Sequence, residues 1–135
     1  MDDLYREEIL EHYKRPRNWG PMEDPDLEFS DTNPLCGDEL KVMLRVDDGG
    51  MVQDVRFEGH GCAISQAAAS MISDVVKGKT VEEVAALGRD DVLEELGIPL
   101  TPIRLKCALL SVSVLKVALG RTPGEDDREI EWRSQ

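Results

Sequence analysis

The stretch from Glu39 to Glu58 is written in period two, and that period ends abruptly at Gly59. Leu40, Val42, Leu44 and Val46 alternate with Lys41, Met43 and Arg45, the pattern of a strand with one face on a core. Asp47-Asp48-Gly49-Gly50 follows as a hairpin turn, where glycine takes positive φ without steric cost. Met51 to Glu58 returns as the next strand, with Met51, Val55 and Phe57 on one face. From Ala63 the apolar spacing becomes helical and stays so. A hairpin with one apolar face, followed only by helices, predicts an α+β domain: a small three-stranded antiparallel sheet with helices packed on one face.

The remaining elements fit that plan. Residues 3–15 read as a helix, with Tyr5, Ile9 and Tyr13 on one stripe, Asp3 ahead of them and Pro16 ending the run. Residues 16–26 form an irregular, proline-rich connection, and Leu27 to Asp31 supplies a short first strand. Ala63 to Lys77 is a helix of small residues that stops at Gly78. Thr80-Val81-Glu82-Glu83 is a capping box opening a helix to Leu87, and Asp90 to Leu96 is a short helix closed by Gly97. Thr101-Pro102 caps the last helix, with proline at its tolerated first position. Its inner stripe is Ile103, Cys107, Leu110, Val114 and Val117, and Gly120 closes it. Residues 1–135 form a single domain, of which 121–135 is a charged, loosely held tail.

Chemistry concentrates at the junctions of these elements. Asn33-Pro34-Leu35-Cys36-Gly37-Asp38 puts a thiol and a carboxylate two residues apart in a turn ahead of the central strand. Cys62 follows Gly59-His60-Gly61, where a helix begins, and Cys107 comes little more than a turn after Pro102. Near helix N-termini, both thiols are expected to gain from unpaired amides and the positive end of the macrodipole. Arg104 and Lys106 add positive charge beside Cys107. Three thiols and one carboxylate at junctions can converge on one metal-sized point, although no Cys-x-x-Cys pair is present and three cytosolic cysteines are commonly unrelated. His12 and His60 read as packing and turn residues. The methionines read as core filler.

Charge excludes several classes of function. A formal net charge of −12 opposes binding to nucleic acid or to anionic membrane surfaces, and no apolar run is long enough to span a bilayer. The acidic start Met1-Asp2-Asp3 lacks the pattern of a signal peptide. An odd number of cysteines argues against a disulfide framework. A cytoplasmic protein is expected.

Four blocks of the sequence resemble the IscU/SufU (NifU N-terminal) family of iron–sulfur assembly scaffolds. They are His12-Tyr13-Lys14-Arg15-Pro16-Arg17-Asn18, Asn33-Pro34-Leu35-Cys36-Gly37-Asp38, Phe57-Glu58-Gly59-His60-Gly61-Cys62-Ala63-Ile64-Ser65 and Arg104-Leu105-Lys106-Cys107. The resemblance implies that Cys36, Asp38, Cys62 and Cys107 surround one site, holding Zn²⁺ or a nascent cluster, with [2Fe–2S] the expected form. It also implies a cysteine desulfurase as sulfur donor, apo iron–sulfur proteins as recipients, and Cys36 as the sulfur acceptor. Lys106 precedes the third cysteine as in SufU-type members, where IscU-type members have histidine. The short interval between Cys62 and Cys107 is IscU-like, and Ile98 to Arg104 replaces the IscU chaperone-binding segment.

The expected function is therefore that of a scaffold and sulfur acceptor, not an enzyme in its own right, with a sulfurtransferase-like role beside a desulfurase. Three soft thiolates and one harder carboxylate form a ligand set that can release what it holds. Asp38 is expected to be the release point, lying in a turn where its loss costs little stability. A structural zinc domain without sulfur transfer is the alternative. A thiol enzyme with Cys36 as nucleophile ranks last, because no histidine is placed by sequence to serve as its base.

Overall fold

The structure, a computed structural model, describes residues 2–33, 37–97 and 99–119. Among these the order is α1 (Asp2–Lys14), β1 (Leu27–Asn33), β2 (Asp38–Val46), β3 (Val52–His60), α2 (Ala63–Val76), α3 (Val81–Ala85), α4 (Arg89–Leu96) and α5 (Pro102–Ala118). The sheet is antiparallel in the order β1-β2-β3. Leu40, Val42 and Leu44 point from its middle strand into a core shared with α2 and α5. The fold is thus α+β with helices on one face, as the change of period implies. Gly120 and the charged tail lie outside the described residues.

The hairpin departs from simple alternation at one place. Asp47 closes the turn with its backbone and with Oδ1, which accepts the Gly49 and Met51 amides at 2.9 Å each. Val46 pairs with Val52 but Arg45 pairs with Asp54, so Gln53 is an extra residue in β3. This bulge flips the face of the residues before it. Val52 is buried together with Val55 and Phe57, whereas Met51 sits outside the strand, bridged to Thr80. The expected inward row Met51, Val55, Phe57 is therefore corrected to Val52, Val55, Phe57. Gly59, expected to end the strand, lies within it. With φ +137, its empty Cβ position falls against the Glu39 backbone, an approach only glycine allows.

The outer edge of β3 is not bare. Residues 18–20 run beside β3, with the Phe57 amide donating to Asn18 O and the Gly20 amide donating to Phe57 O, both at 2.9 Å. Arg56 and Arg45 donate to the carbonyls of Trp19 and Glu23, which ties the connection to the sheet. Met43, on the polar side of the alternation, is only 2% exposed. Asp38 belongs to the inward row of Leu40, Val42 and Leu44, two residues before Leu40, and is itself fully buried.

The helices begin where their caps lie. Thr80 and Glu83 form the reciprocal capping box, and α3 runs to Ala85, shorter than the expected Leu87. Gly97 ends α4 in the left-handed conformation with φ +70. Thr101 Oγ1 accepts the Arg104 amide at the start of α5. The expected α5 stripe is only partly correct: Cys107 to Lys116 is buried without interruption, while Ile103, assigned to the inner row, is 57% exposed. The first turn of α5 is exposed, and only the turns from Cys107 onward are enclosed.

Helix α1 is latched to α2 by polar groups. Ser70 Oγ lies 2.7 Å from His12 Nδ1 and accepts the Arg17 amide at 2.7 Å. Asn18 Nδ2 donates to Ser73 Oγ and Asp74 Oδ1, both at 2.9 Å. Burial, followed by the nearby Arg17 charge, holds the His12 imidazole below its ordinary pKa. Because Ser70 is buried and its oxygen is already engaged, this histidine–serine pair is a latch and not a nucleophile with its base.

Candidate metal centre

The hairpin register explains how residues far apart in sequence meet. Glu39 lies opposite His60, so the next step along the ladder brings Asp38 beside Gly61. Without the extra residue at Gln53, Asp38 would face His60 instead. Cys62 follows as the N-cap of α2, and Cys107 descends from the second turn of α5, which packs on β1 and β2. The ligand atoms of Asp38, Cys62 and Cys107 all lie within 4.8 Å of one another.

The two carboxylate oxygens of Asp38 have different tasks. Oδ1 accepts the Cys62 amide at 2.8 Å, and Oδ2 lies 3.9 Å from Cys62 Sγ. One oxygen fixes the side chain and the other faces the thiol. A tetrahedral zinc with Zn–S about 2.3 Å and Zn–O about 2.1 Å separates sulfur from oxygen by about 3.6 Å, and two sulfurs by about 3.8 Å. The 3.9 Å between Asp38 Oδ2 and Cys62 Sγ is close to that geometry and the other separations stay within 4.8 Å, so the three residues fit a zinc ion or one corner of a cluster once Cys107, which is disulfide-bonded in this structure against the expectation of free thiols, is reduced. Asp38 and Cys107 are fully buried, while Cys62 is half-buried and gives the group its access to solvent.

Two sequence expectations change here. Asp38 is the first residue of β2, buried and bonded to the start of α2, and does not lie in a turn. Its parity with Leu40, Val42 and Leu44 was the available signal. Cys107 stands beyond the first turn of α5, where the macrodipole has fallen away, so of the two cysteines only Cys62 has a helix terminus beside it. Arg104 is exposed and Lys106 half-buried in the turn before Cys107. His60 is exposed at the end of β3 and lies outside the group of potential ligands. Cys36, two positions before Asp38, lies outside the described residues.

Gly61 and Ser65 were not singled out by sequence reasoning. A Cβ on Gly61 would lie 2.5 Å from Asp38 Oδ1, 2.8 Å from Asp38 Cγ and 2.5 Å from Ser65 Oγ. The backbone of Gly61 thus forms a wall against which the carboxylate rests. Ser65, fully buried, donates its hydroxyl to the Cys62 carbonyl at 3.1 Å.

Residues 4–128 match the model of the NifU-like N terminal domain. The chain belongs to that family. Among NifU-like relatives, the iron–sulfur cluster assembly scaffold protein IscU of Escherichia coli is 34% identical over 118 residues, 85% of this chain and 91% of that protein. The zinc-dependent sulfurtransferase SufU of Bacillus subtilis is also 34% identical, over 92% of this chain and 95% of its own. The crystal structure of a putative iron–sulfur cluster assembly scaffold protein for the SUF system from Fervidobacterium islandicum superposes with a TM-score of 0.74. It is 29% identical and covers 84% of this chain and 94% of its own. The family resemblance carried by the four sequence blocks is therefore correct. Among the described residues no helix is long and apolar enough to cross a membrane.

Proposed function

We propose that this NifU-like chain is a scaffold and sulfur acceptor in iron–sulfur cluster assembly, working in the cytoplasm. The observation that carries the reading is the convergence of Asp38, Cys62 and Cys107, from β2, the start of α2 and α5, within 4.8 Å. Cys36 completes the set from the connection that precedes Asp38. The cluster is cargo to be built and passed to apo-proteins; a zinc ion at the same four residues would hold the thiolates together when no cluster is present. The names of the IscU and SufU relatives support scaffold and sulfurtransferase roles respectively.

Sulfur arrives as a persulfide on a cysteine desulfurase. The Cys36 thiolate attacks the outer sulfur, the donor's S–S bond breaks, and the donor cysteine leaves as the thiol. A new S–S bond then holds the transferred sulfur on Cys36, with no net oxidation or reduction. Asp38, fixed through Oδ1, keeps Oδ2 facing the Cys62 thiol. The net charge of −12 favours a donor with a basic docking surface.

The test is persulfide transfer from a desulfurase supplied with cysteine, read by alkylation and mass spectrometry. Cys36→Ser is expected to abolish persulfide on this chain while the fold persists. Undiminished transfer to that variant would move the acceptor role to another cysteine. A wild-type chain that binds zinc but never accepts sulfur would favour the structural zinc reading.

A further inference from the structure

The N-cap of α2 is satisfied differently from those of α3 and α5. Thr80 and Thr101 cap their helices with their own hydroxyls, whereas the Cys62 side chain makes no capping hydrogen bond. Its thiol is left for other chemistry. The peptide units on either side of the Cys62 Cα are instead held by two other side chains, one from β2 and one from the first turn of α2. Asp38 Oδ1 accepts the Cys62 amide at 2.8 Å, and Ser65 Oγ donates to the Cys62 carbonyl at 3.1 Å.

We propose that Ser65 is a positioning residue of the metal site, clamping the backbone of Cys62 opposite Asp38 so that the thiol meets its ligand partners from a fixed Cα. This deepens the metal-site reading and rests on it. With both flanking peptides held, χ1 is the main freedom left to place Sγ. Ser65 Oγ and Asp38 Oδ1 also lie at the same distance, 2.5 Å, from the empty Cβ position of Gly61. Hydroxyl and carboxylate therefore both stand over the side of Gly61 that a Cβ would occupy. Ser65 is fully buried, so solvent does not compete for this contact.

A purely local role for the hydroxyl makes a different prediction. The Cys62 carbonyl also accepts the Gln66 amide at 3.2 Å, so Ser65→Ala leaves it paired, and alanine is the better helix former. The variant should fold. Ser111 provides a matched control: it is fully buried, and its hydroxyl donates to the Ala108 carbonyl at 3.1 Å with the same three-residue spacing, one turn beyond Cys107.

Zinc affinity is measured by competition with a chromogenic chelator for wild type, Ser65→Ala and Ser111→Ala, and Co²⁺ loading is followed by its thiolate charge-transfer absorption. Circular dichroism confirms the fold of each. Ser65→Ala is expected to weaken zinc binding about 10-fold, at the lower end of outer-sphere effects, and to shift the Co²⁺ spectrum. Ser111→Ala is expected to match wild type in both. Wild-type affinity and spectrum in Ser65→Ala would overturn the proposal, as would equal losses in the two variants. Failure of the wild-type protein to bind either metal would refute the underlying metal-site reading before any variant is compared.

Discussion

Gly61→Ala should damage the site while leaving all four proposed ligands in the sequence. The new Cβ would lie 2.5 Å from Asp38 Oδ1, where ordinary contact begins at 3.4 Å. The carboxylate must therefore retreat by about 0.9 Å if the backbone stays, because atoms do not overlap to that depth. Asp38 is fully buried, so any retreat takes place inside the site that its Oδ2 shares with Cys62. A retreat away from Gly61 stretches the 2.8 Å bond to the Cys62 amide by up to that amount, to about 3.7 Å at most, which is beyond hydrogen-bond range. Loss of a bond to a carboxylate costs about 1.5–3 kcal/mol, which corresponds to a fall in melting temperature of roughly 5–10 °C for a domain of this size. Zinc affinity should fall about 10–100-fold, as when an outer-sphere support is removed. Thermal melts of the apo-protein and chelator competition measure the two effects separately. Gly61→Ala with wild-type melting and wild-type zinc affinity would refute the argument that this glycine seats the carboxylate.

Asp38→Ala is expected to destabilise the apo-protein by about 1–3 kcal/mol, because the Cys62 amide loses its partner; denaturant unfolding measures it, and an unchanged midpoint would contradict a structural role for that bond. His12 gives a pH dependence. Its folded pKa lies below the ordinary 6.5, so below that value the unfolded chain takes up the proton first. The contribution is complete above pH 6.5 and is lost as pH falls through the window between 6.5 and the lowered folded value. Melting temperatures of wild type and His12→Gln should therefore converge as pH falls through that window, and parallel profiles would contradict the sign.

What was legible in the sequence was whatever is encoded locally. The Thr80–Glu83 box, Thr101-Pro102, Gly97 and the Asp47 turn each satisfy their own backbone groups within a few residues, and each ends or starts an element in the structure. The bulge at Gln53 was not legible, since it exists only relative to the partner strand. That one residue decides whether Asp38 meets Gly61 or His60, so the site's detailed geometry depended on a feature without a local signature. The α5 stripe failed at Ile103 because helical spacing does not tell how much of a helix's length its neighbours enclose. The importance of Gly61 arises from contact across the sheet, and in sequence it reads only as a turn residue. The convergence of Asp38, Cys62 and Cys107 followed from their places at element junctions and from the family resemblance.

Zinc K-edge X-ray absorption of the loaded full-length protein, with metal content measured on the same sample, tests the shared site most directly. One zinc per chain is expected, with three sulfur neighbours at about 2.3 Å and one oxygen at about 2.0–2.2 Å. Asp38→Ala should lose or exchange the oxygen neighbour and keep the sulfurs. A wild-type spectrum fitted by nitrogen and oxygen neighbours with one sulfur or none would contradict the claim that these cysteines converge on one ion.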